Sequence, residues 1–69
     1  MEKTYKTVII DDEKSAASEL GNALSRYACI SIEGLASTGK DGIDLVLKTR
    51  PDLIFLDVEL PDMLGMEVL

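Results

Sequence analysis

The chain has 69 residues, enough for one small domain and no second. Its 13 acidic residues against 7 basic ones leave a net charge of −6, which argues against direct nucleic-acid binding, since that needs a basic face to displace counterions. One cysteine and no histidine exclude an internal disulfide and a zinc site of the usual kind, and no run of about 20 apolar residues exists to span a bilayer.

The N-terminus, Met1-Glu2-Lys3-Thr4, is mixed in charge and lacks a secretory core, so the cytoplasm is the expected compartment. Lys6 to Ile10 is short and β-branched, and it runs straight into Asp11-Asp12-Glu13. Its apolar residues are continuous rather than alternating, as in a parallel strand covered on both faces. Next, DEKSAASELGNALSRYA carries Ala16, Leu20, Leu24 and Tyr27 at helical spacing, with Asp12 as the expected N-cap. Gly21 within it costs about 1 kcal/mol relative to alanine.

CISIEGLAS alternates at Ile30, Ile32 and Gly34 and reads as a second strand, with Cys29 expected to be buried or half-buried. Ser37-Thr38-Gly39 is punctuation. KDGIDLVLKTR places Ile43, Val46 and Leu47 on one helical face, has Lys48 and Arg50 in its last turn, and is stopped by Pro51. Leu53 to Leu56 is a third apolar strand ending in Asp57; VELPDMLG is a turn-rich loop; MEVL begins a third helix of about one turn. Gly34, Gly39 and Gly42 form no phosphate loop and read as turn and packing residues. Strands alternating with helices specify an α/β fold with a parallel sheet.

Two strands therefore end in aspartate. If the first and third are parallel neighbours, Asp11, Asp12 and Asp57 converge at the carboxyl edge, where open α/β sheets bind ligands. Two like charges about 5 Å apart repel by roughly 3 kcal/mol at an effective dielectric of about 20. Such a cluster either takes up a proton or is neutralised by a hard cation. Magnesium, held through one or two carboxylates plus waters and phosphate oxygens, suits it; calcium requires more ligands. Read alone, Asp11-Asp12-Glu13 is equally well explained as the charged, capped start of the first helix.

Taken together, VIIDDE, PDLIFLDVELP and LPDMLGMEVL resemble the first half of a response-regulator receiver domain of bacterial two-component signalling, from about Lys6 to the last residue. The wording is also similar to regulators with LytTR-type DNA-binding outputs. The resemblance implies a flavodoxin-like, doubly wound parallel sheet with strand order 2-1-3, truncated after the third strand and the start of a third helix. Residues 1–69 are then a partial receiver domain.

The resemblance further implies that Asp57 is the phosphoacceptor for a sensor histidine kinase. Asp12 ligates Mg2+ directly, Asp11 holds a metal-bound water, and Glu59 offers its backbone carbonyl to the metal. Pro61 and Gly65 shape the following loop. A receiver promotes its own phosphorylation and dephosphorylation without being a conventional enzyme. The switch hydroxyl of the family's fourth strand and the lysine of its fifth have no counterpart here, so this segment alone is not expected to switch. Two other readings stand beside this one. One is a non-catalytic half-domain that self-associates through the open edge of its third strand. The other is a dehalogenase-type phosphatase, whose two aspartates are separated by one residue rather than adjacent.

Overall fold

A computed structural model of the chain describes residues 3–57, 60–62, 64 and 67. The elements follow in the expected order: β1 (Tyr5–Ile10), α1 (Lys14–Leu24), β2 (Ile30–Ala36), α2 (Gly39–Thr49) and β3 (Leu53–Leu56). The three strands form one parallel sheet in the order β2-β1-β3.

β1 is central, which explains its composition. Thr7, Val8, Ile9 and Ile10 are all at most 1% exposed. Successive side chains of a strand point to opposite faces. Ile9 meets Gly21 of α1, while Ile10 meets Gly42 of α2, so each helix covers its own face and the apolar run must be unbroken. Gly42 permits a close approach: a Cβ there would stand 2.7 Å from Ile10 Cδ1. Ile10, Ala36 and Leu60 form the core on that side, joined by Leu45, Val46, Ile54 and Leu56.

Register is set at both ends of the β1–β3 pair. At the start, Lys6 N–H donates to Asp52 Oδ2 at 2.9 Å and Asp52 N–H donates to the Lys6 carbonyl at 2.8 Å. The ladder then pairs Thr7 with Leu53 through to Ile10 with Leu56. Pro51-Asp52 thus does more than end a helix. It anchors β3 so that the residue after Leu56 emerges beside the residues after Ile10.

Several local expectations are corrected. α1 is capped by Glu13 rather than Asp12, with no side-chain cap bond, and it ends at Leu24. Tyr27 lies beyond it, 62% exposed; its N–H bonds back three residues to Leu24 as the helix tightens and releases the chain. Cys29 is exposed, in the turn where its carbonyl accepts from Tyr5 N–H. The alternation expected through Ile32 and Gly34 is broken by a register shift: Thr7 pairs with Ile32 but Val8 with Gly34. Gly34 therefore lies against Leu45 of α2.

On α2, Leu47 is 70% exposed, while Gly39, Gly42 and Val46 turn inward, because the buried stripe follows the closely approaching glycines. Thr38 is its N-cap, accepting from Asp41 N–H at 3.1 Å. Arg50 is not in the last turn but is the left-handed C-cap, φ 48°, with its N–H on the Val46 carbonyl. The last-turn cation is Lys48 alone.

Gly65, Met63, Met66 and most of the third-helix start lie outside the described residues. At 64–67, Leu64 N–H donates to Glu67 Oε1 and Glu67 N–H to the Leu64 carbonyl, one half of the reciprocal pattern of a helix N-terminus.

Candidate metal centre at the carboxyl edge

The strand ladder continues one residue past each strand end. Asp11 N–H donates to the Ala36 carbonyl and Asp57 N–H to the Ile10 carbonyl, both at 2.9 Å. Both backbones are therefore fixed where their side chains leave the sheet. Asp11 is held further, its Oδ1 accepting from Glu13 N–H at 3.0 Å. That bond turns the chain into α1 and leaves the Asp12 carboxylate free of capping work. Asp11, Asp12 and Asp57 each bring a carboxylate oxygen to a point where all three lie within 4.8 Å of one another. Asp11 and Asp57 are half-buried and Asp12 is exposed. A recess of about 200 Å³ opens beside them, lined by Ile9, Leu20, Phe55 and Leu56 together with Asp11 and Asp57.

The capping reading of the acidic run therefore fails for Asp12 and holds only in part for Asp11. The expected convergence of the three aspartates is what the backbone produces. Glu59, expected to offer its carbonyl, lies outside the described residues.

Crowding raises the Asp12 carboxyl above its ordinary value of 3.8. Shielding from water by its neighbours is the largest cause, followed by a hydrogen bond to Asp57 and the negative charges of Asp57 and Asp11. A carboxyl raised in the folded state disfavours the ionised fold, so its destabilising effect is full above the raised value. The effect fades as pH falls through that value and is gone below 3.8. Asp12→Asn is therefore expected to raise the thermal midpoint at pH 7 in the presence of chelator, by a margin over the wild type that shrinks as pH is lowered toward 3.8. Melting curves followed by circular dichroism read this directly; a lower midpoint for the variant at pH 7 would contradict it.

A carboxylate absent from the sequence-derived set ties the segment after β3 to the start of α2. Asp62, in the segment after β3, accepts from Gly39 N–H on Oδ1 at 2.6 Å and from Lys40 N–H on Oδ2 at 3.0 Å. These two bonds hold its carboxyl below the usual value. The partners are 23 and 22 residues apart in the chain, and no local spacing signals the pairing.

The chain matches the family model described as "Response regulator receiver domain" over residues 7–69. It belongs to the response-regulator receiver family. Among relatives of this receiver segment, the transcriptional regulatory protein BtsR of Escherichia coli is 40% identical over 63 residues. The sensory transduction protein LytT of Bacillus cereus is 36% identical over 63 residues. Each alignment covers 91% of this chain and 26% of the relative, so the chain spans about a quarter of their length.

The receiver domain of NarL from Mycobacterium tuberculosis superposes with a TM-score of 0.91 at 27% identity, covering 97% of this chain and 54% of that one. The response-regulator domain of Thermotoga maritima CheB, at 21% identity and a TM-score of 0.91, supports the fold alone, with coverage of 96% and 49%. The receiver fold is thus flavodoxin-like, with strand order 2-1-3 across the portion present. Among the described residues, no helix is long and apolar enough to cross a membrane.

Proposed function

We propose that this segment is the metal-binding, phosphoryl-accepting half of a receiver domain. The observation that carries the reading is the convergence of three carboxylates from two strand ends within 4.8 Å. Hard oxygen donors in a partly open recess suit Mg2+, and the raised Asp12 carboxyl marks the charge that a divalent ion would relieve. Asp12 would ligate the ion directly, Asp11 through a water, and Asp57 and the Glu59 carbonyl would complete the protein's share. Bound there, Mg2+ would supply neutralisation of the cluster and of charge on phosphoryl oxygens.

In the reaction, an Asp57 carboxylate oxygen forms a bond to the phosphorus of a kinase phosphohistidine. The phosphorus–nitrogen bond breaks and the imidazole nitrogen keeps its electron pair. The product is an aspartyl phosphate. The chain's own contribution is positioning: the Ile10 carbonyl fixes the Asp57 backbone, and the β1–β3 register aims it beside Asp11 and Asp12. The partner is a sensor histidine kinase. The relative named sensory transduction protein LytT supports a LytTR-type output in the complete protein. This reading places the complete protein in the cytoplasm, and the net charge of −6 supports a segment that makes no nucleic-acid contact of its own.

Incubation of the complete protein with Mg2+ and a small acyl phosphate, followed by peptide mapping, tests the reading. Phosphoryl mass on the peptide containing Asp57, abolished by chelator, is the expected result. Modification confined to another residue contradicts it.

A second reading, a self-associating half-domain, is favoured by one observation. β3 lies at the sheet edge, with Leu53 38% and Phe55 37% exposed, and such an edge accepts another strand. Sedimentation of the 69-residue chain as a monomer at all concentrations would exclude it.

A further inference from the structure

We propose that Leu60 is a positioning residue of the carboxylate cluster: its side chain seats on Ile10 and Ala36, the two residues whose carbonyls hold the backbones of Asp57 and Asp11. The inference rests on the reading of Asp11, Asp12 and Asp57 as a Mg2+ site.

Ile10 and Ala36 are the last residues of β1 and β2, and they pair with each other in the final rung of the sheet. Each carries one anchor of the cluster. The Ile10 carbonyl accepts from Asp57 N–H and the Ala36 carbonyl from Asp11 N–H, both at 2.9 Å. Strand ends are where a sheet opens most readily, since no further rung holds them. Here those ends carry the two backbones that must keep their places if three carboxylate oxygens are to lie within 4.8 Å of one another.

Leu60 lies against that rung. It is 8% exposed and forms one core cluster with Ile10 and Ala36. Among the described residues it is the only buried hydrophobic side chain outside the strands and helices, so a connecting segment supplies core at this one place. The segment is itself tied two residues later, where Asp62 accepts from Gly39 and Lys40 N–H.

Protein interiors are close-packed, so removing atoms from such a cluster lets the atoms around them shift. A shift at Ile10 or Ala36 moves a carbonyl from which an aspartate backbone hangs. Displacing a reacting group by about 1 Å can slow a reaction about 100-fold. Groups that orient metal ligands change affinity by roughly 10–100-fold when removed. Leu60 acts in that way, through two carbonyls rather than on the ion itself.

The test uses the complete protein, with Mg2+ alone as the probe and the amide signals of Asp11 and Asp57 followed by NMR. Their shifts report affinity at the site, and their hydrogen exchange reports the two anchoring bonds. Leu60→Ala is expected to weaken Mg2+ binding about tenfold and to speed exchange at both amides. Leu60→Val, which removes one carbon, should give a smaller loss of the same kind in a protein that still folds. Leu60→Met conserves volume and should stay near the wild type in both readouts. Val8→Ala controls for stability alone. It removes two carbons from the buried middle of β1, so it should lower the melting temperature and leave the Mg2+ affinity of the folded protein at the wild-type value.

Wild-type Mg2+ affinity in both Leu60→Ala and Leu60→Val would make Leu60 a core residue with no bearing on the aspartates, overturning the proposal while leaving the metal centre standing. An equal loss of affinity in Val8→Ala and Leu60→Ala would trace the effect to general loosening of the core and would overturn it too. A wild type that binds no Mg2+, with both amides protected, would overturn the metal reading itself and the role of Leu60 with it.

Discussion

In the complete protein, Asp57→Asn should reduce Mg2+-dependent phosphoryl incorporation from a small acyl phosphate to background, while Asp44→Asn labels like the wild type. The size of the effect follows from the chemistry. An aspartyl phosphate needs a carboxylate oxygen to form the bond to phosphorus, and a carboxamide offers none of comparable nucleophilicity. The substitution keeps the backbone anchor. Asp57 is held through its backbone N–H by the Ile10 carbonyl, and that bond is indifferent to the side chain. Removing one negative charge from a cluster spanning 4.8 Å also relieves repulsion, so the variant should fold at least as well as the wild type. Loss of labelling with an unchanged or raised melting temperature is therefore the expected pair of results. Asp44 sits on the exposed side of α2, so its substitution controls for net charge alone. Labelling that survives in Asp57→Asn would assign the nucleophile elsewhere.

Ile10→Ala should lower stability by about 2–5 kcal/mol, a large part of what a small domain possesses. Ile10 is fully buried at the centre of the core on the α2 face of the sheet. Its side chain packs against Gly42 and with Ala36, Leu56 and Leu60, while its carbonyl receives Asp57 N–H. Truncation leaves a void that the close approach of α2 has no second side chain to fill, because the facing position is a glycine. Leu47→Ala removes as many carbons from a residue 70% exposed and should shift stability by no more than about 0.5 kcal/mol. Denaturant titrations of the two variants side by side would measure the contrast; equal losses would contradict the assignment of the core.

The parts of this fold that could be read from residues alone were those governed by short-range rules. The unbroken run Thr7-Val8-Ile9-Ile10 announced a central parallel strand, and it is one. The alternation of strands and helices implied a parallel sheet, and the paired ends at Ile10 and Leu56 brought the acids after them together. What escaped depends on contacts that no window of sequence contains. Leu47 fits the helical period of α2, but Gly42 draws the buried stripe to one side of it. Tyr27 fits the period of α1 yet follows the point where the chain leaves the helix. Asp12 looked like a cap, but Asp11 takes the local hydrogen bond instead and leaves its neighbour in the cluster. Asp62 read as one acid of a turn-rich loop, and only the packed fold sets it against Gly39 and Lys40.

Titration of the chain with Mn2+ as a paramagnetic stand-in for Mg2+ tests the central claim most directly, with side-chain carboxylate signals followed by NMR. One ion per chain should broaden Asp11, Asp12 and Asp57 together, and Asp57→Asn should weaken binding by about tenfold or more. Broadening confined to Asp11 and Asp12, with an affinity indifferent to Asp57→Asn, would show that the two strand ends do not share an ion.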